Sequence, residues 1–318
     1  MNDKVDLVPK KINEFVGQSD NIKILKTAIF VAKEQKTCID HTLIYGNSGL
    51  GKTTLAKIVS NELESNFIYI SAPSISTVLE LISIISSIQE NDVLFIDEIH
   101  RMSQKLEEVL YTVMENFKLS FIYNSEENAK PLEIALPKFT LVAATTMVYR
   151  VSTPLRNRFP IQIKLEDYSL ESIEKMTVKM FKKMKISITK EAVYLVAKSS
   201  RKNPRILKNN CKRILDYAIY KKLDNIDVYQ VLEVLNRLKI FDDGLNMIDI
   251  ELLRAMLYKF NNKPISLETA ALVLGESKQD ITQIHEPYLV ENGYIIRTKR
   301  GRILSEKAIQ YLEKIDKK

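Results

Sequence analysis

The chain has 318 residues, of which 45% are hydrophobic and 27% charged, and its formal net charge is +7. This composition is ordinary for a globular protein of two or three domains, and the basic excess favours a polyanionic partner. Cys38 and Cys211 form no metal or redox spacing, and no apolar run marks a signal peptide or approaches the length of a membrane span. We therefore expect a reducing, cytoplasmic location without a membrane partner.

Apolar strand signals alternate with helical patterns through the first half of the chain. This rhythm is typical of an α/β fold in which helices cover both faces of a parallel sheet, with ligands bound at the carboxyl ends of the strands. The predicted strands are Thr42–Tyr45, Phe67–Ile70, Val93–Ile96 and Phe139–Ala144, and the helices between them include Lys52–Leu63 and Gln104–Phe117.

A glycine-rich segment follows the first strand. Residues 46–54 match G-x-x-x-x-G-K-[ST], a loop whose backbone amides surround phosphate oxygens at a helix N-terminus. Lys52 is predicted to reach the β- and γ-phosphates, and the Thr53 hydroxyl to bind Mg²⁺. A glycine turn with a chance lysine is disfavoured, because strand, loop and helix agree. The predicted phosphate-binding residues are Gly46, Gly49, Leu50, Gly51, Lys52, Thr53 and Thr54.

Two acids follow the buried strand Val93–Ile96. Asp97 is predicted to hold the Mg²⁺ shell and Glu98 to polarise an attacking water as general base. A structural salt bridge is the alternative, but the distance from the glycine-rich loop favours the nucleotide site. His100 either couples to this site or is a polar turn residue.

Further motifs along the chain suit phosphoryl transfer. The fourth strand ends in Thr145-Thr146, which could contact the γ-phosphate or the water. An arginine commonly stabilises the transferred phosphoryl group, and Arg156, Arg158 and Arg205 are candidates, solvated surface arginines being the alternative.

The second half of the chain reads as helical. Amphipathic patterns between 169 and 238 predict a small helical domain. Three further helices and a two-stranded ribbon then follow the plan of a winged helix. Basic residues at 297–302 suit phosphate contacts, with solvated charge as the alternative. The predicted domains are 1–166, 167–241 and 242–318.

Residues 119–136 read as a β-hairpin inserted between a helix and the next core strand. Its apolar residues either pack on their own domain or form a docking surface.

Together these motifs resemble the AAA+ ATPases and, among them, the RuvB family. The resemblance covers nearly the whole chain. It rests on the segments 14–18, 46–54, 94–101, 144–146, 154–159, 203–205, 286–289 and 297–302.

The resemblance implies an ATP hydrolase of the helicase or translocase type. It would drive branch migration of Holliday junctions in DNA recombination and repair, as a homohexameric ring on duplex arms. ATP and Mg²⁺ are the implied cofactors, and a RuvA-type junction-binding protein and a RuvC-type resolvase are the implied partners. The alternative is a nucleotide-switched DNA-binding protein, similar to clamp loaders or initiators, that translocates nothing.

Individual roles follow from the same resemblance. Thr146 matches a sensor of the γ-phosphate, Arg158 a finger that acts on a neighbouring subunit's ATP, and Arg205 a second sensor. Further implied ATP contacts are Leu7, Tyr168 and the backbone near Glu115 and Phe117. Leu132 and Ile134 match positions that dock on RuvA, and the implied DNA contacts are Lys278, Arg297, Arg300 and Arg302.

The sequence also departs from the family pattern. Asn47 and Ser48 occupy positions where two prolines are usual, which predicts a less stiff loop. Val8 and Met147 each replace an expected arginine, and Lys202-Asn203 replaces Gly-Thr before Arg205.

Overall fold

The computed structural model of the chain describes residues 7–125 and 128–317. Within these ranges, the side chains at 120–125, 128–132 and 283 are not described. No described helix combines the length with the apolar character that crossing a lipid bilayer requires.

The chain forms two structural units. The first extends to Lys183 and includes Lys202–Lys208, and the second consists of Met184–Arg201 and the chain from Asn209 onward. The helix that carries Arg205 therefore begins in the first unit.

A five-stranded sheet forms the centre of the first unit. The strands of this unit are β1 (Thr42–Tyr45), β2 (Phe67–Ser71), β3 (Val93–Asp97), β4 (Lys118–Ser125), β5 (Asn128–Ala135), β6 (Thr140–Thr145) and β7 (Ile161–Lys164). The sheet has the order β2-β3-β6-β1-β7 and all its pairs are parallel. β4 and β5 pair separately as an antiparallel hairpin.

The central strands are apolar because both of their faces are covered. In β3, Val93, Leu94, Phe95 and Ile96 are fully buried, and every residue of β6 is buried. Continuous apolar runs of this kind are expected where helices pack on both sides of a parallel sheet. The predicted α/β core is confirmed, and β1 has the predicted bounds.

The helices of the first unit connect the strands. They are α1 (Ser19–Gln35), α2 (Lys52–Leu63), α3 (Val78–Ser86), α4 (Gln104–Asn116), α5 (Thr153–Arg156) and α6 (Leu170–Lys183). The start of α3 is fixed by a capping box, in which Thr77 and Glu80 satisfy each other's backbone amides. The bounds of α2 are those predicted from the glycine-rich loop.

The helices that follow are amphipathic. They are α7 (Lys190–Lys198), α8 (Pro204–Lys221) and α9 (Val228–Arg237), and the two short strands β8 (Ser187–Ile188) and β9 (Asn225–Ile226) pair in parallel. A capping box formed by Asp227 and Gln230 begins α9.

The end of the chain has the predicted winged-helix plan. Its helices are α10 (Met247–Arg254), α11 (Leu267–Leu274), α12 (Lys278–Asp280), α13 (Glu286–Glu291) and α14 (Glu306–Asp316), with π-helical turns at Ala255–Lys259 and Ile281–His285. The ribbon consists of β10 (Ile295–Thr298) and β11 (Gly301–Leu304). Ile265 and Arg302 add an antiparallel bridge to β11.

Candidate functional site

The glycine-rich loop connects β1 to α2. Gly46 and Gly51 have φ angles of +147° and +103°, which residues with a side chain rarely adopt. A Cβ at Gly46 would also lie 2.5 Å from the Leu165 carbonyl oxygen. Because α2 begins directly after Gly51, the amides of its first turn face the loop. The segment has the backbone geometry of an anion-binding loop.

Lys52 is the buried cation of this loop. Its Nζ donates to the carbonyl oxygens of Gly46 at 2.8 Å and Asn47 at 3.0 Å. Burial lowers the pKa of Lys52, although the charges of Glu98 and Asp97 partly oppose this effect. A cation held by two loop carbonyls is well placed to exchange them for phosphate oxygens.

Asp97 ends β3 beside the loop. Its Oδ1 accepts the Glu98 backbone amide at 3.1 Å, and its Oδ2 accepts the Tyr69 hydroxyl at 3.4 Å. Burial raises the pKa of Asp97, and the neighbouring charge of Glu98 adds to this. Asp97 and Thr53 line one cavity, and their carboxylate and hydroxyl oxygens are ligands that Mg²⁺ accepts together with substrate phosphates. This pair fits the predicted metal position.

Glu98 is held in one orientation by the end of β6. Its Oε2 accepts both the backbone amide and the hydroxyl of Thr146, each at 3.1 Å. His100 Nδ1 lies 3.1 Å from the same oxygen and 2.9 Å from the Thr145 hydroxyl. Glu98 has a left-handed φ of +51°, which turns the chain sharply after β3. The predicted general base and sensor are therefore in direct contact.

A cavity of about 750 Å³ surrounds the loop within the first unit. This volume lies in the range of small-molecule sites. The glycine-rich loop, Asp97 and Glu98 line one part of the cavity. Apolar side chains line another part, and they include Leu7, Phe15, Met176 and Met180. A phosphate-binding edge beside an apolar wall suits a nucleotide.

Tyr168 supports the loop from within the same cavity. The side chain is buried, and its hydroxyl donates to the Leu50 carbonyl oxygen at 3.0 Å. Burial raises the pKa of Tyr168, so the hydroxyl stays protonated and continues to donate.

The predicted ATP contacts fall into two groups. Those that line the cavity are Leu7, Gly49, Leu50, Gly51, Lys52, Thr53, Thr54, Tyr168 and Arg205. Among the residues that the structure describes, Gly46 does not line it, but its carbonyl oxygen accepts a hydrogen bond from Lys52 within the same loop. The second group, Glu115, Phe117 and Arg158, is also not among the described residues that line the cavity. Such a division is expected if the second group serves the nucleotide of another subunit.

Arg158 is held by its own chain. Its Nη2 lies 2.8 Å from Glu115 Oε1, its Nη1 donates to the Pro154 carbonyl oxygen at 2.9 Å, and its guanidinium covers the Tyr111 ring at 4.6 Å. Phe117, at the C-terminal cap of α4, packs its ring against His41 and Phe139 instead. The aromatic ring of Phe117 therefore belongs to the core.

The start of α8 contacts the loop. The sequence predicted Arg205 near the phosphates, but it did not indicate the contacts with Ser48. Asn203 Nδ2 donates to the Ser48 carbonyl oxygen at 2.8 Å, and Arg205 Nη1 donates to the Ser48 hydroxyl at 3.0 Å. The only sequence signal for these contacts was that Ser48 and Asn203 are polar residues at positions that depart from the family pattern.

The basic wing, which is the ribbon of β10 and β11 with its turn, contacts a buried acid that sequence reasoning missed. Arg297 and Arg302 are directly opposite in the ribbon, and the Nε of each donates to Glu286 Oε1 at 2.8 Å. Glu286 is buried; burial would raise its pKa, but hydrogen bonds from Arg302 and Arg297 outweigh this and lower it. Arg300 is exposed at the tip, and Lys278 pairs with Glu268 at 2.7 Å.

The hairpin of β4 and β5 is present at the predicted position, with Leu119 opposite Ile134. Ile134 is exposed, as a docking residue must be. The side chain of Leu132 lies outside the described ones.

A second cluster that the sequence did not indicate lies within the second unit. Arg201 forms an ion pair with the fully buried Asp249, whose Oδ1 lies 2.8 Å from His285 Nδ1. Arg201 Nε also donates to the Gly244 carbonyl oxygen at 2.6 Å. This cluster joins the end of α7 to the start of the winged-helix region.

Comparison with known proteins identifies the family. The Holliday junction DNA helicase RuvB P-loop domain matches residues 7–165, the RuvB AAA lid domain 168–241 and the RuvB C-terminal winged helix domain 242–313. The chain belongs to the RuvB family. The predicted RuvB resemblance is thereby confirmed, as is the fold class.

RuvB relatives match over nearly the whole chain. The RuvB subunit of the Holliday junction branch migration complex of Fusobacterium nucleatum is 36% identical, covering 98% of this chain and 94% of the relative. The corresponding Clostridium kluyveri subunit is 39% identical, covering 98% and 89%. The solved Thermotoga maritima RuvB Holliday junction branch migration motor has a TM-score of 0.82 at 36% identity, covering 96% and 98%. A mutant form of that protein gives 0.84 at 35%, with the same coverage.

Proposed function

We propose that this chain is an ATP-driven DNA motor that promotes branch migration of Holliday junctions together with a RuvA-type partner. The observation that carries the proposal is that Lys52, Asp97 and Glu98 line one cavity and that Thr146 donates hydrogen bonds to Glu98, in a chain of the RuvB family. The relatives are named as branch migration subunits, and the basic wing supplies cations for duplex phosphates.

In the proposed reaction, the loop amides and Lys52 bind the phosphates of ATP. Mg²⁺, held by Thr53 and Asp97, would neutralise the charge that develops on the phosphate oxygens. Glu98, oriented by Thr146, accepts the proton of the attacking water. Arg205 lies on the same cavity and would contact the transferred phosphoryl group.

We further propose that Arg158 completes the site of a neighbouring subunit. Its group with Glu115 and Phe117 does not line the chain's own cavity among the described residues, which supports action in trans. A closed ring, such as the hexamer implied by the resemblance, would give every subunit such a neighbour. The domain boundaries after 166 and 241, the cytoplasmic location, the helicase class and a RuvC-type partner remain parts of this proposal.

A synthetic four-way junction tests the function directly. We expect the full chain with ATP, Mg²⁺ and a RuvA-type protein to convert the junction into duplex products, and Lys52→Ala to form none because it cannot hold the phosphates. DNA-stimulated ATP hydrolysis without product formation would instead favour a nucleotide-switched DNA-binding protein. Absence of hydrolysis by the unaltered chain would reject both.

A further inference from the structure

Three residues connect the glycine-rich loop with the start of α8. The Ser48 hydroxyl accepts a hydrogen bond from Arg205 Nη1 at 3.0 Å, and the Ser48 carbonyl accepts one from Asn203 Nδ2 at 2.8 Å. Asn203 Oδ1 in turn accepts the Arg205 backbone amide at 2.9 Å. The three hydrogen bonds form a closed set in which each residue contacts the other two.

The loop also approaches Asn203 closely. Gly49 has a φ of +84°, and a Cβ at this position would clash with the Asn203 side-chain amide. The close approach uses the space that a side chain on Gly49 would fill. The absence of a side chain on Gly49 therefore leaves room for the Asn203 side-chain amide beside the loop.

Arg205 gains a defined direction from these contacts. A free arginine side chain on the surface samples many rotamers, and ordering it for one contact costs conformational entropy. The Ser48 hydroxyl fixes one guanidinium nitrogen at the edge of the loop, and Asn203 fixes the backbone from which the side chain extends. The Arg205 side chain has thus lost part of its conformational entropy before it contacts any phosphate.

We propose that Ser48 is a positioning residue for Arg205 and that Ser48 and Asn203 couple the phosphate-binding loop to the first turn of α8. The inference rests on the proposed ATPase function and adds two residues to it. Coupling of this kind transmits a change in the loop to α8 directly, since the same side chains contact both.

The test compares Ser48→Ala with Ser48→Thr in the full chain. Loss of one hydrogen bond to a charged group at an exposed site is expected to lower kcat/KM for ATP by about threefold to tenfold. Ser48→Thr keeps the hydroxyl and should restore the rate. Ser87→Ala is the matched control, because Ser87 directly follows α3 and its hydroxyl donates to the Ile84 carbonyl oxygen of that helix at 2.7 Å.

A double-mutant cycle with Arg205→Ala separates positioning from a general effect on the loop. If Ser48 acts through Arg205, adding Ser48→Ala to Arg205→Ala causes no further loss. An equal fold-loss in both backgrounds would overturn the proposal, as would an unchanged rate for Ser48→Ala alone. A thermal unfolding midpoint for Ser48→Ala equal to that of Ser87→Ala would support it, because the loss then lies in the reaction. Failure of the unaltered chain to hydrolyse ATP would reject the proposed function itself.

Discussion

The nucleotide site and the basic wing are both proposed to contact phosphate through cations, but the structure holds those cations in different ways. Lys52 is buried and held by backbone carbonyls of its own loop, six and five residues away. Arg297 and Arg302 are held by the side chain of Glu286, which belongs to another element. The first arrangement is local in sequence and the second is not.

This difference explains why the nucleotide site is easier to predict from the sequence than the contacts of the wing. A loop whose function depends on backbone shape needs glycines and a lysine at fixed spacing. Its geometry can therefore be predicted from the sequence motif. The wing depends on which side chains meet in three dimensions, so its three predicted DNA contacts, Arg297, Arg300 and Arg302, look alike in sequence. In the structure they differ, since two share one buried carboxylate and Arg300 is exposed at the tip.

The largest expected effect concerns the second group of nucleotide contacts. Arg158→Ala should lower ATP turnover by about 10³-fold or more, the usual contribution of an arginine finger. Arg156→Ala, in the same motif, is the matched control and should retain most activity. Steady-state hydrolysis at saturating ATP measures both.

Subunit mixing decides whether Arg158 acts in trans. Mixtures of Arg158→Ala and Lys52→Ala chains should recover activity, because a chain with an intact loop then meets a neighbour with an intact arginine. If no mixture exceeds the separate variants, Arg158 serves its own chain and the two groups are one site.

Glu98→Gln should keep ATP binding and lower turnover by about 10²- to 10⁴-fold, the range for a lost general base. Its amide can still accept the Thr146 hydrogen bonds, so the site should keep its shape. Binding of a fluorescent ATP analogue and single-turnover hydrolysis separate the two effects. Undiminished hydrolysis would mean that another group activates the water.

The wing arginines offer a matched pair of equal charge. Arg300→Ala should reduce the slope of log affinity for duplex DNA against log salt by about one, because it removes one phosphate contact. Arg302→Ala should change the slope less and the thermal stability more, since it takes a partner from buried Glu286. Equal slopes and equal stabilities for the two variants would contradict the distinction between them.

The smallest expected effect is a pH dependence of stability. The pKa of Glu286 is lowered from 4.5 in the folded chain. The contribution of Glu286 to folding stability is therefore present above about pH 4.5, and it is lost as the pH falls through the lower pKa of the folded chain. Glu286→Gln should lower Tm at neutral pH by about 2–4 °C, the shift that about 1 kcal/mol gives in large domains. The variant should also show a smaller difference in Tm between neutral and acidic pH than the unaltered chain. If the difference in Tm between the variant and the unaltered chain does not change with pH, protonation of Glu286 does not contribute to the pH dependence of stability.

Much of the fold was predictable because it follows from local periodicity. β1 and α2 have the predicted bounds, and β6 differs from the prediction by one residue at each end. Thr145 consequently lies inside the strand, where its hydroxyl meets His100, and the sequence left the role of His100 open. Strand ends are set by hydrogen-bond partners on neighbouring strands, which a single run of residues does not contain.

The polar contacts around Ser48, Glu286 and Asp249 were not predictable for a related reason. Each joins residues distant along the chain, as in the 157 positions that separate Ser48 from Arg205. The replacement of a usual proline by Ser48 predicted a less stiff loop. In the structure, that position accepts hydrogen bonds from Asn203 and Arg205, which a proline ring could not replace at the Ser48 hydroxyl.

The bridge between Ile265 and Arg302 has a mechanical consequence. Both residues exchange backbone hydrogen bonds, at 3.0 and 2.9 Å, and Gly301 packs against the Ile265 backbone so closely that a Cβ would clash. A pull on the ribbon along its strands would load these bonds in shear, with the main chain bearing the tension. If the wing binds DNA, this backbone pairing would hold the ribbon in place while its exposed side chains release and rebind phosphates.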